Sequence, residues 1–290
     1  MKGDSIMPDF WSHIISGDML INQLNNKKLV QKIKQNKTLF NLSCQGPDFF
    51  YYHNIWPWNK EKSAAELATI FHEKNSNALM LNTLTFLKEN YTPKLDIYLS
   101  GLFLHYFIDK TTHPLIFSMQ KRGYEHKVLE INLDVYAVKN FYQTEAFKLA
   151  PQKKINLAEI PIIIQKYYQY IFRAIYGEKN FKTEILDKSF LDFKKVLTLF
   201  YSPFKIKSSC FKLLNLILPL NLAKGIYPNS LNHKIISANE YQKFYELLEQ
   251  GVIEAINFLQ LKNNYLTNDL ADEIIKEKIN NINFNGQIAK

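Results

Sequence analysis

From Ile97 to Asp109 the chain reads IYLSGLFLHYFID, a run whose only charged residue is Asp109, four places after its only histidine, His105. A helix this apolar on all sides has to be largely buried. Burial makes Asp109 costly, because a carboxylate taken out of water needs a partner or a metal ion to offset its lost hydration. The run therefore constrains both the fold, which must wrap a central helix, and the chemistry, which must neutralise a charge inside it.

The rest of the 290 residues fit an all-α chain, with only 9 Gly and 10 Pro to interrupt long mixed apolar and Lys/Glu stretches. Periodicity predicts a first helix from near Pro8 past Leu20, a second over Asn26–Lys34, and helical sequence over 63–90. The central helix is predicted from Leu95 to about Thr111, ending at His113, because Pro114 disfavours α conformation in the residue before it. Further helices are predicted at about 125–144, 160–177, 183–201, 208–222, 238–260 and 268–280, with Pro151 and Pro161 flanking a linker. Residues 43–60, SCQGPDFFYYHNIWPWNK, read as an aromatic-rich loop with turn geometry at Gly46-Pro47 placing Asp48. No repeat or composition shift divides the chain, which reads as one domain over 1–290, with chemistry in 1–150 and extra helices in 151–290.

Six of the seven histidines, His13, His53, His72, His105, His113 and His126, precede residue 127. His105 is followed four residues on by Asp109, and His126 by Glu130. Positions i and i+4 share a helix face, so each imidazole and carboxylate can converge on one ion. With 7 His and 27 acids in 290 residues, chance supplies about 0.65 such pairs. Two pairs with His113 between them exceed that, and the nitrogen and oxygen donors suit zinc. The two cysteines, Cys44 and Cys210, provide neither a disulfide framework nor a C-x-x-C metal pair.

The run LHYFIDKTTHP (104–114), followed by HKVLE (126–130), resembles the signature of the bacterial zinc-dependent phospholipases C. The segments MPDFWSH (7–13) and QGPDFFYYH (45–53) are similar to the intracellular branch of that family, and the likeness covers about residues 7–140. It implies an all-α fold with up to three zinc ions in a cleft and hydrolysis of the glycerol-side phosphodiester of phospholipids. Carried over by residue, it implies one zinc on Asp48, His72, His105 and Asp109, and a second on His113, His126 and Glu130. A third would take His13 and share Asp109. In the secreted members an N-terminal Trp completes that site, whereas Trp11 lies inside this chain, so lower occupancy is expected there. Asp48 is expected to serve as ligand, as general base toward an activated water, or both. The Asn54–Trp58 loop is expected to line the cleft.

His53 reads as a residue beside the metals or facing substrate. Asp134, one turn beyond Glu130, reads either as a partner orienting an imidazole or as a solvated helix residue. The sequence between 188 and 234 holds eight lysines and the single acid Asp192, interleaved with Phe190, Phe193, Phe200, Phe204 and Phe211. That pattern fits an amphipathic element in peripheral contact with a membrane, or phenylalanines facing the core with the lysines solvated. The N-terminus lacks an apolar signal core, so a cytoplasmic location is expected. Two other readings compete with the phospholipase. One is a single-strand-preferring zinc nuclease, served by the net charge of +9 but disfavoured by the internal Trp11. The other is a non-catalytic helical protein using zinc as a cross-link, against which the carboxylate-rich, cysteine-free donor set counts.

Overall fold

The structure, a computed structural model, describes residues 10–56, 58–59, 64–177, 181–204, 207, 210–211, 226–268 and 271–289. Among these residues the chain is all-α, and the only β pairing is an isolated bridge between Ile282 and Ile288. Its helices are α1 (Trp11–Gln23), α2 (Lys27–Gln35), α3 (Lys37–Ser43), α4 (Ala65–Glu73), α5 (Ser76–Glu89), α6 (Pro93–Gln120) and α7 (His126–Tyr142). They continue with α8 (Pro151–Lys154), α9 (Ile162–Ala174), α10 (Thr183–Phe200), α11 (Ala238–Asn268) and α12 (Asp272–Ile279). A 3-10 turn, Asp48–Tyr52, stands in the segment predicted as loop.

Helix α6 is the axis of the molecule: every residue from Leu95 to Asp109 is buried. Helices α1, α3, α7 and α11 pack around it. It starts on a Thr92 cap, whose hydroxyl accepts from the Leu95 amide at 3.1 Å, with Pro93 at the first helical position. Its predicted end at His113 is wrong, since the helix continues through Pro114 to Gln120. A proline inside a helix forfeits one backbone hydrogen bond and costs about 3 kcal/mol, so tertiary contacts must hold it. His113 donates from Nδ1 to the Phe284 carbonyl at 2.9 Å. Gly286 lies so close that a β-carbon there would sit 2.5 Å from Pro114 Cγ and 2.9 Å from the freed Lys110 carbonyl. The 282–286 segment thus braces the proline turn, and keeping it helical puts His105, Asp109 and His113 on one stripe at four-residue steps.

Other boundaries shift by a few residues or split. The 63–90 stretch forms two helices, broken at Lys74-Asn75, with Asn75 in the left-handed region at φ 51°. Helix α11 runs to Asn268, past its predicted end. The predicted start near Pro8 and most of the predicted 208–222 helix lie outside the described residues. On α10 the phenylalanines Phe190, Phe193 and Phe200 are buried, while Lys188 and Lys195 are solvent-accessible; Phe204 beyond it is 83% exposed. No helix among the described residues is long and apolar enough to cross a membrane.

Candidate metal centre

Eight side chains from five parts of the chain meet beside α6. His105, Asp109 and His113 come from α6, His126 and Glu130 from α7, His13 from α1, His72 from α4 and Asp48 from the 3-10 turn. They fall into three groups able to hold an ion: Asp48/His72/His105, His13/His105/Asp109 and His113/His126/Glu130.

Donor spacing tests whether these groups fit zinc. Ligands at 2.0–2.2 Å in a tetrahedron stand about 3.3 Å from one another. His72 Nε2 is 3.0 Å from Asp48 Oδ1, 3.5 Å from His105 Nε2 and 3.6 Å from Asp109 Oδ2. His105 Nε2 is 3.2 Å from Asp109 Oδ2 and 3.9 Å from Asp48 Oδ1. Asp48, His72 and His105 thus converge as one group, and Asp109 Oδ2 adjoins its two imidazoles. The other oxygen of Asp109, Oδ1, lies 3.5 Å from His13 Nε2, so this carboxylate is placed to bridge two ions. In the third group Glu130 Oε1 is 2.8 Å from His126 Nε2 and 3.8 Å from His113 Nε2, while Lys127 holds Oε2 at 2.9 Å. Between the His13 and Glu130 groups lies a cavity of about 20 Å³ lined by His13, Asp109, Thr112, His113 and Glu130. That is room for one water or ion.

The other ring nitrogen settles which atom four of the five candidate histidines offer. His72 Nδ1 is 2.7 Å from the Ala68 carbonyl, His105 Nδ1 3.2 Å from the Cys44 carbonyl, and His113 Nδ1 2.9 Å from the Phe284 carbonyl. His126 Nδ1 is 3.2 Å from Gln120 Oε1. Carbonyl oxygens only accept, so each neutral ring carries its proton on Nδ1 and turns the Nε2 lone pair inward. This is the arrangement metal-binding histidines use. Cys44 contributes its carbonyl and not its thiol, which burial pushes up to about 12. Burial alone lowers the His72 pKa, but Tyr51, Asp109 and Asp48 outweigh it and hold the imidazole well above its ordinary value. His113 is raised against its own burial by Asp109 and Glu130. Asp109, despite burial that favours its neutral form, is held below the usual carboxylate range by His105, His113, His72 and His13.

The profile of the zinc-dependent phospholipase C family matches residues 12–178, more than half of the chain. The chain belongs to that family. The matched span contains all eight candidate ligands. No curated protein and no solved structure matches the chain.

Two expected auxiliary residues stand outside the three groups. Asp134 is fully buried, not solvated, and its carboxylate accepts the amides of Phe10 (2.8 Å), Trp11 (2.9 Å) and Ser12 (2.7 Å) and the Tyr227 hydroxyl (2.7 Å). It caps α1 in place of a local residue and so fixes the helix that carries His13. The same contact engages the Trp11 amide. His53 Nδ1 accepts from the Ala64 amide at 3.2 Å, the opposite tautomer from the four rings above, and belongs to none of the three groups.

Several features that build the site were not foreseen in that role. Phe284 reaches it from beyond α12, its ring 4.9 Å from that of His72 and 5.7 Å from that of His105. Gly46, at φ 52°, leaves the space that His105 fills, since a β-carbon there would stand 2.0 Å from the ring. The anchoring carbonyls of Ala68, Cys44 and Phe284 are main-chain atoms, invisible to any residue pattern.

Proposed function

We propose that this protein is a zinc-dependent hydrolase that cleaves the glycerol-side phosphodiester bond of a phospholipid. The observation that carries the reading is the set of inward-facing Nε2 atoms and carboxylate oxygens spaced 3.0–3.9 Å apart and linked through Asp109. Zinc bound there supplies a Lewis acid for the phosphate oxygens and lowers the pKa of a bound water to near 7. Asp48, His72, His105 and Asp109 would hold one ion, His113, His126 and Glu130 a second, and His13 with His105 and Asp109 a third.

The chain's own residues do the rest. Asp109 would be shared by neighbouring ions, because its one carboxylate faces both His13 and the His72/His105 pair. Asp48 is the most accessible carboxylate of the set, with 16% of its side chain exposed against 5% for Asp109 and 5% for Glu130. That accessibility supports Asp48 as the group that takes a proton from an attacking water, in addition to ligating. Lys127 holds the outer oxygen of Glu130, so Oε1, beside His126, is the one that would serve an ion. The family membership and the carboxylate-rich donor set support hydrolysis over a structural cross-link.

The test compares release of diacylglycerol from phospholipid with cleavage of single-stranded nucleic acid, each with zinc and after chelation. Zinc-dependent diacylglycerol release is expected. Nucleic-acid cleavage in its place, or phospholipid hydrolysis that survives chelation, overturns the reading.

A further inference from the structure

The loop after the Asp48 turn carries aromatic surface that the metal groups do not use. Its base is tied twice: Ala64 donates to His53, and the Asn54 amide donates to Asp192 of α10 at 3.1 Å. Trp56 donates from Nε1 to the same buried carboxylate at 3.1 Å, which pins its indole. Trp58 stacks on Trp56, with ring centroids 5.4 Å apart and planes 9° from parallel, and is 71% exposed. An indole held rigid on another indole and turned to solvent adds nothing to the core.

The neighbouring face of α10 has matching chemistry. Lys188, Leu191 and Lys195 stand at three- and four-residue steps and share a helix face. Lys188 Nζ is 2.5 Å and Lys195 Nζ 3.9 Å from Asp192, so the lysines flank the point where Trp56 is held. Leu191 between them is 46% exposed. Single exposed apolar residues are ordinary. Here an indole and a leucine gather around one anchor with two lysines, of which Asp192 offsets one charge. The loop follows directly on the metal centre: Tyr51, three residues after Asp48 in the same 3-10 turn, is 38% exposed and stacks over His72 with centroids 5.9 Å apart.

We propose that the Trp56–Trp58 loop and the Lys188–Lys195 face of α10 form a docking site for a phospholipid bilayer, presenting the Asp48–His72 end of the metal centre to the headgroups. Indole rings favour the membrane–water interface, where the apolar ring and the polar rim are both satisfied. Lysines there attract anionic lipid, each contributing about fivefold in binding, and the chain's net charge of +9 adds attraction at longer range. The apolar groups facing the bilayer are Trp58 and Leu191; Phe190 and Phe193 are buried. The orientation toward headgroups rests on the phospholipid reading above, whereas the docking does not.

The chain's three tryptophans make the test direct, because Trp11 is fully buried and only the loop can report lipid. The zinc-loaded protein is mixed with phosphatidylcholine vesicles, with and without phosphatidylglycerol, carrying brominated acyl chains. Co-sedimentation and partial quenching of tryptophan fluorescence are expected, stronger with the anionic lipid and at low salt. Trp58→Ala should remove most of the quenching and weaken sedimentation, and Lys195→Glu should lower anionic-vesicle binding by more than about fivefold. Both positions are exposed, so zinc content and far-UV dichroism should match the parent and exclude unfolding. Absence of vesicle binding, binding without quenching, or unchanged binding by Trp58→Ala overturns the proposal. Quenching by a soluble brominated phosphodiester but not by lipid overturns it too, by assigning the loop to the substrate cleft. Docking without diacylglycerol release removes the phospholipase reading alone, and hydrolysis of soluble phosphodiesters without vesicle binding removes docking alone.

Discussion

Asp109 bears on two of the three ligand groups through its two oxygens, which makes it the residue whose loss should be felt most widely. Asp109→Asn keeps the shape but halves the oxygen donors and removes the charge. We expect zinc content to fall by more than one ion per chain, and hydrolysis by about two orders of magnitude or more. Asp48→Asn should keep more metal while losing turnover; elemental analysis beside activity distinguishes the two, and full zinc in Asp109→Asn would refute the bridge. Gly46 is a second sensitive position. Gly46→Ala combines a strained φ with a β-carbon inside the His105 ring, so it should cost about 2 kcal/mol or more and lower zinc content together. Thermal melts and metal analysis of the same preparation check this. The candidate ligands on α6 and α7 were legible because their imidazoles and carboxylates stand at helical spacing, whereas Asp48, His72 and His13 came only with the family resemblance. Gly46 was legible only as a turn, since what it makes room for lies 59 residues away at His105.

At the scale of elements, Asp134 shows how one helix positions another. Its carboxylate closes the amino end of α1 with three backbone amides, inside the core. Asp134→Ala leaves those donors buried and should cost about 3 kcal/mol, with zinc at the His13 group falling more than at His113/His126/Glu130. Equal loss at both groups, read from refined metal occupancies, would count against this local role. A second inter-helix tie joins α6 and α11: Lys262 is fully buried, with its ammonium on Asp96 and 3.1 Å from the Ser100 hydroxyl. In sequence Lys262 looks like any lysine on the polar face of an amphipathic helix, and only the packing of α11 along α6 reveals it as an internal charge. The same limit explains α6 itself. Its apolar run was plain, but its persistence through Pro114 depends on Phe284 and Gly286, about 170 residues away.

The three ligand groups join α1, the Asp48 turn, α4, α6 and α7, so zinc should act as a cross-link for the whole molecule as well as a reagent. A ligand that binds only the folded state, at a free concentration 1,000 times its dissociation constant, stabilises by about 4 kcal/mol. Spread over a domain of this size, that corresponds to roughly 10 °C in Tm. Chelation should lower Tm by about that much while leaving helical dichroism at room temperature, because the apolar core around α6 does not depend on the ions. The pH dependence has a definite sign. In the metal-free protein His72 and His113 have raised pKa values. Their contribution to metal-free stability is complete below about pH 6.5, the unfolded value, and disappears as pH rises through the raised folded values. Zinc competes with those same protons for Nε2, so its binding strengthens as they leave. The Tm gap between zinc-loaded and chelated protein should therefore widen from about pH 6 to about pH 8, with proton release on zinc binding greatest at the acid end. A gap that stays constant across this range would show that the raised imidazoles are not the atoms the metal takes.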